Sequence, residues 1–265
     1  MKFSISRENF LQPLQLVSGA VERRHTLPIL SNVLIKVSDN SLWLTGTDLE
    51  VELISNVTLS GEFVEGEITV PAKKLLDICR GLNEGSSIDF SVESNKALLK
   101  SGRSKYSLST LSADDYPNLE DWQGELEFEI PQSNLKRLID STHFCMAQQD
   151  VRYYLNGMSL ETEDNLIRTV ATDGHRLALC RLNYTNATLP NRQVIIPRKG
   201  VLEIIRLIED NDKLVKVQVG SNHIRIFSTD FIFTSKLVDG RFPDYRRVLP
   251  KDGDKKIESS KDVLK

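Results

Sequence analysis

Long apolar runs are missing from this sequence of 265 residues. Nowhere are there the roughly 18 consecutive apolar side chains that a membrane-spanning helix needs. The opening MKFSISRENF has no apolar stretch either, so no secretory signal is expected. Cysteine is scarce and odd in number. Cys79, Cys145 and Cys180 are scattered and form no CxxC pair, which excludes a disulfide framework and a zinc ribbon. They are expected to be thiols in a reducing, cytoplasmic setting. The four histidines, His25, His143, His175 and His223, show no metal-ligand spacing, and no cofactor is expected. GxxxxGK[ST], GxGxxG, HExxH and the aromatic RNA-binding signature are all absent. A strong charge of one sign is lacking as well, since 34 basic residues face 37 acidic ones for a net −3. Apolar residues at 40% and charged residues at 27% place the chain among ordinary globular proteins. In TDGHRL, Asp173 and His175 could form an acid–base pair, but no nucleophile or second base accompanies them. An enzyme is therefore not expected. The acidic SADDYPNLED is expected to be a solvated loop rather than a cation site.

What the sequence does hold is a repeat. VPAKKLLDICRGL, from Val70, and IPRKGVLEIIRLI, from Ile196, share a β-branched residue, a proline, a basic pair and an amphipathic helical pattern, 126 residues apart. FSISRENFLQPLQLV at Phe3 matches FEIPQSNLKRLIDST at Phe128. The asparagines Asn32 and Asn156 sit in matching strand-like blocks, and Pro117 and Pro243 close matching turns. Four blocks in one order at nearly one offset mean a duplicated domain. The predicted domains are 1–125 and 126–249. KIESSKDVLK, from Lys256, resembles the opening of a third copy, so residues 250–265 are expected to be a linker and the start of a truncated third domain. A short C-terminal tail is the alternative.

Each copy is predicted to be strand-rich with two helices. SLWLTGTDLEVELISNVTL, FVEGEITV and SIDFSVE alternate with period two, and KALLKSGRSKYSLSTL has the form of a hairpin around Ser101 and Gly102. The first helix, in ENFLQPLQLVSGAV, is started or interrupted by Pro13. The second opens on a proline and ends near Gly81. Segregated helices on a mainly antiparallel sheet make this α+β.

Basic residues gather on the helices. Lys73, Lys74 and Arg80 flank the apolar stripe of one, and Arg198, Lys199 and Arg206 that of its counterpart. Lys136, Arg137, Arg23 and Arg24 add to them. The first 125 residues carry −6, whereas residues 126–249 carry +2. Basic residues on a helix are usually only a solvated face. Their recurrence at equivalent places in both copies points instead to phosphate contacts, independent of base sequence and sensitive to salt.

The words TLPILSNVL, LTGTDLE, RSKYSLSTL, QDVRYYLNGM, RTVATDGHRLA and FTSKLVDGRFPDYRRVLP resemble, in order and spacing, the bacterial sliding clamps, the DNA polymerase III beta subunit family. The resemblance runs the full length. It implies three homologous domains per chain, each with two helices over an outer sheet, in a head-to-tail homodimeric ring around duplex DNA. It also implies a processivity factor rather than an enzyme. DNA-facing positions would be Arg24, Lys73, Gln149, Tyr153, Tyr154, Arg198 and Lys199. One of the two tyrosines could equally be core. A pocket for short peptide motifs would involve Leu155, Thr172, Gly174, His175, Arg176, Leu177, Pro243, Arg247 and Val248. Implied partners are double-stranded DNA, the alpha subunit of DNA polymerase III, the delta subunit of the clamp loader, and other polymerases and repair proteins with a clamp-binding motif. At the ring joint, Tyr106 and Leu108 would give apolar contact, and Lys74, Arg103 and Lys105 ion pairs. A chain stopping at Lys265 is expected not to close that ring. The alternative function is a two-domain protein-interaction adaptor that does not encircle DNA. A hydrolase or transferase on an α+β scaffold would need an acid, base or metal cluster that the sequence does not display.

Overall fold

The computed structural model describes residues 1–21, 27–117, 119, 122–249, 255 and 257–264. Two halves follow the same element order. The first runs β1 (Lys2–Ser6), α1 (Arg7–Val17), β2 (Asn32–Ser38), β3 (Ser41–Thr47), β4 (Val51–Thr58), β5 (Gly66–Pro71), α2 (Ala72–Gly81), β6 (Ser87–Glu93), β7 (Lys96–Ser101) and β8 (Ser104–Ser109). The second runs β9 (Leu126–Pro131), α3 (Gln132–Asp140), β10 (Gly157–Asp164), β11 (Leu166–Thr172), β12 (Leu177–Asn183), β13 (Leu189–Pro197), α4 (Arg198–Leu207), β14 (Leu214–Val219), β15 (His223–Phe227) and β16 (Ile232–Lys236). A four-residue helix, α5 (Lys261–Leu264), stands near the end. Duplication is thus visible element by element, and the α+β class holds.

The antiparallel strands of each half are divided between two sheets. β1-β6-β7-β8 and β12-β11-β10-β13 are four-stranded, and a third sheet runs β5-β2-β3-β4-β16-β15-β14-β9. That eight-stranded sheet crosses from one half to the other. At the crossing, Val51, Glu52, Leu53 and Ile54 of β4 lie antiparallel to Ser235, Thr234, Phe233 and Ile232 of β16. The Ser55 hydroxyl donates to the Asp230 carbonyl over 2.7 Å, and the Lys236 amide donates to the Glu50 carbonyl over 2.8 Å. A strand edge left unpaired would invite other chains, and here two edges satisfy each other.

Local pattern explains the elements. In β1, Phe3 and Ile5 point inward and Lys2 and Ser4 outward. In α2, Ala72, Leu75 and Cys79 are buried, while Lys73, Lys74 and Arg80 are exposed. In α4, Val201, Ile204 and Leu207 repeat that stripe. Phe3 stacks on Phe90 at 4.9 Å and meets Phe10 edge-on at 6.0 Å. Each such buried side chain is worth about 1.5–3 kcal/mol relative to exposure. Pro13 does not break the first helix; α1 continues through it, with its ring buried. Ser6 caps that helix, its hydroxyl accepting the Asn9 amide at 3.3 Å. Burial pushes the Cys79 thiol up to about 12, so it is an inert core group.

The helices form one row. α1 packs against α2, and α3 against α4. The Arg206 guanidinium of α4 donates to the Leu16 carbonyl of α1 over 2.9 Å, joining the two pairs in the spatial order α2, α1, α4, α3.

Glu52 sits buried in the β4–β16 crossing. Burial raises its carboxyl above the ordinary value, against smaller opposing pulls from the Leu119 amide and Arg225. A raised carboxylate binds its proton more tightly folded than unfolded, so this group subtracts stability as pH rises above about 4.5. Glu52→Gln is expected to raise the melting temperature at pH 7, with the gain vanishing below about pH 4 where both side chains are neutral. Thermal unfolding followed across that range checks both parts.

Candidate nucleic-acid interface and adjoining cleft

The loop after α3 is built from its own polar side chains. Asn156 bridges it, its amide donating to the Asp150 carbonyl at 2.8 Å while its oxygen accepts the Asp150 amide at 2.9 Å. Arg152 grips Asp150 with two hydrogen bonds, of 3.0 and 2.8 Å. Gln149 takes a left-handed turn, at φ 56°. The loop docks on the start of α4, where the Arg198 amide donates to the Asn156 carbonyl at 2.9 Å. Gln149, Tyr153 and Arg198 are thereby brought to the N-terminal end of α4.

The two tyrosines divide their roles. Tyr153 is 57% exposed. Tyr154 packs with Leu177 and Val238 against a small cluster of Val170, Ile195, Phe242 and Tyr245. Lys73 and Lys74 are exposed on α2, and Lys73 makes no ion pair among the described residues. Lys199 instead meets the buried Asp48 of the β3–β4 turn. Arg24 lies outside the described residues.

A second turn faces this loop. Asp173 accepts the His175 and Arg176 amides at 2.9 Å each through Oδ1, and the Arg176 side chain at 2.9 Å through Oδ2. His175 therefore meets Asp173 through its backbone, which is a turn and not an acid–base dyad. Thr172 closes the same turn, donating to the Arg176 carbonyl over 2.7 Å. Gly174 stands at φ 89°, and a Cβ there would press within 3.1 Å of the Arg152 guanidinium. Arg152 also donates to the Asp173 carbonyl at 3.3 Å, tying both turns together.

Between these turns and the 243–249 segment lies a cleft of about 480 Å³, within the range of ligand sites. Leu155, Thr172, Gly174, His175, Arg176, Leu177, Pro243 and Val248 all line it. Arg247 does not; its side chain turns out to solvent and pairs with Asp244 at 2.9 Å. Arg152, Tyr154, Tyr245 and Leu249 line it too, although the sequence reading did not place them there. Tyr154 and Leu249 adjoin Leu155 and Val248 in the chain, the signal that would have found those two. Val248 is an apolar side chain 71% exposed at the cleft.

On the far edge of the first half, Lys74, Arg103 and Lys105 are exposed. Tyr106 and Leu108 turn inward, opposite Leu99 and Ala97 of β7, with Leu108 fully buried and Tyr106 half-buried. Among the described residues, no cluster of three or more His, Cys, Asp or Glu could hold a metal ion, and no helix is long and apolar enough to cross a membrane.

Hydrogen bonds from Arg152 to Asp150, and from the 175–176 amides to Asp173, hold both carboxyls down to about 2. Lowered carboxylates stabilise the fold fully above their unfolded value near 3.8 and lose that contribution as pH falls through about 2. The turn amides of His175 and Arg176 are expected to keep their native NMR shifts from pH 7 to about pH 4, and to lose them only nearer pH 2.

The family model for the DNA polymerase III beta subunit N-terminal domain matches residues 1–120, and that for its central domain matches residues 129–244. The chain is 58% identical to the beta sliding clamp of Salmonella typhimurium, across all of this chain and 72% of that one. Identity to the beta sliding clamp of Escherichia coli K12 is 57% with the same coverage. It superposes on the DNA polymerase III subunit beta of Pseudomonas aeruginosa with a TM-score of 0.94 at 57% identity, over 96% of this chain and 69% of that one. A structure of the Pseudomonas aeruginosa clamp bound to griselimycin gives 0.92 at the same identity and coverage.

Proposed function

Because this chain belongs to the DNA polymerase III beta subunit family, the sliding clamps that serve as processivity factors, we propose that its helix row follows duplex DNA without reading bases, while its cleft holds a short peptide of a polymerase or repair protein. The domains run over 1–125 and 126–249, and the chain works in the cytoplasm without catalysis of its own.

One observation carries the reading: the β4–β16 crossing is a joint between like halves. By position in the repeat, β8 corresponds to β16 and β12 to β4. Both β8 and β12 are outer strands of their sheets. Each is thus shaped to take another module of this fold, the head-to-tail arrangement from which rings are made. Tyr106 and Leu108 would back such a joint at β8, with Lys74, Arg103 and Lys105 facing an acidic partner strand. A ring holds DNA by topology, so its phosphate contacts need only be weak and uniform along the duplex. Lys73, Gln149, Tyr153 and Arg198 are the contacts best presented for that. Arg24 is proposed from the resemblance alone, as are Tyr154 and Lys199, whose side chains also serve packing and an ion pair.

The cleft suits an apolar peptide anchor. Leu155, Leu177, Pro243 and Val248 offer the trough and Arg152 and Arg176 the polar rim. The alpha subunit of the polymerase, the delta subunit of the clamp loader and repair polymerases are the partners proposed for it. The griselimycin complex of a relative is in keeping with a ligand-accepting clamp.

Titration of labelled duplexes of unrelated sequence is expected to give weak binding, equal for all sequences, that fades between low and moderate salt. Tight, salt-resistant or sequence-dependent binding contradicts the DNA reading and leaves an adaptor. Arg198→Ala is expected to reduce the slope of log affinity against log salt by about one. Val248→Asp, at an exposed position, is expected to cut affinity for an apolar clamp-binding peptide by about tenfold or more without changing the melting temperature. Fluorescence anisotropy with the peptide reads that loss, and unchanged affinity would remove the cleft from the account.

A further inference from the structure

The two halves are held at one angle by more than the β4–β16 strands. Asp48 is almost wholly buried, its side chain 2% exposed. Its Oδ1 accepts the Glu50 and Val51 amides at 2.9 Å each, which fixes the turn before β4. Oδ2 faces the Lys199 ammonium in the first turn of α4, in the other half. At the opposite end of α4, Arg206 reaches the Leu16 carbonyl in the last turn of α1 over 2.9 Å. A cation there also answers the negative end of α1, whose own last turn carries no basic residue. Any side chain at Gly19 would collide with the Arg206 guanidinium, so the absence of one there makes the seat. One helix is thus pinned at both ends to the preceding half.

We infer that Asp48, Lys199 and Arg206 form an interdomain latch that sets the curvature of the helix row, with Lys199 a positioning residue and not a phosphate contact. The inference rests on the reading that the row follows DNA, and it changes which lysine does what. The physical ground is the asymmetry of burial. An ammonium withdrawn from Asp48 toward a phosphate would leave a buried carboxylate uncompensated. Lys73 and Arg198 carry no such obligation. The turn itself recurs in the repeat: Asp173 builds the same turn as Asp48, with two amide hydrogen bonds of 2.9 Å on one oxygen. Lys73, at the place on α2 that Lys199 holds on α4, faces no carboxylate among the described residues.

The test compares Lys199→Met, Asp48→Asn, their double variant and Arg206→Ala. Each is measured in two ways in the full chain. Spin labels on the exposed faces of α2 and α3 report the distance distribution between halves, and a labelled duplex reports affinity and its salt slope. The latch requires that every variant broaden the distance distribution and that the double be no worse than its worse single. It also requires that duplex affinity fall several-fold with an unchanged salt slope, in Asp48→Asn as much as in Lys199→Met. The inference is overturned if Lys199→Met lowers the slope by about one with an unaltered distribution, while Asp48→Asn binds DNA as well as or better than the parent chain. Arg206→Ala spares the buried Asp48 and leaves only the part-exposed Glu203, its partner at 2.8 Å, without a counter-ion, so it decides the matter on distances should the Asp48 variants not fold. If the parent chain binds no duplex, the DNA reading fails, and the distance distributions still judge the latch separately.

Discussion

Everything in this molecule depends on one pairing, that of β4 with β16. A β-sheet edge must be paired, covered or charged. Here an edge of the first half is paired by an edge of the second, so two duplicated units become one continuous sheet. The same pairing sets α1 beside α4 and turns two helix pairs into a single row. The buried core also runs on through it, one cluster reaching from Phe3, Phe10 and Phe90 in the first half to Phe128, Ile130 and Val217 in the second. Without the pairing the row would be lost, and with it any extended surface for a polyanion.

The charges show how a near-neutral chain can carry a directed positive face. Many arginines are already engaged internally. Arg152 holds Asp150, Arg168 bonds Glu163 at 2.7 Å, and Arg176 holds Asp173. Tyr245 donates to the buried Glu161 at 2.9 Å, anchoring the segment that forms one wall of the cleft. Lys73, Lys74 and Arg80, which form no ion pair among the described residues, stand exposed on α2. Net charge says little about such a surface; position decides it.

Much of this was legible in the sequence because duplication makes local patterns check one another. A proline, a basic pair and a 3.6-residue apolar stripe at Val70 and again at Ile196 fixed α2 and α4 together. Alternation in SIDFSVE and the Gly102 turn placed β6, β7 and β8. The chain's division into two sheets per half was not legible, because strand order is set by contacts far apart in sequence. Pro13 in the sequence suggests a helix start or a break, whereas packing of its ring into the core lets α1 continue. The pairing of Asp48 with Lys199 spans both halves and leaves no local signature, so Lys199 read as one more cation on a helix. Tyr153 and Tyr154 stayed interchangeable until Phe242 and Tyr245, from the end of the second half, covered one and not the other.

Hydrogen exchange along the crossing tests the central claim most directly. If β4 and β16 are paired as described, their mutually bonded amides exchange as slowly as those of the inner strands β3 and β15. The outward amides of the edges β8 and β12 then exchange far faster. Exchange at β4 and β16 as fast as at those outer edges would mean that the halves are merely tethered, and the continuous sheet and the helix row built on it would both fall.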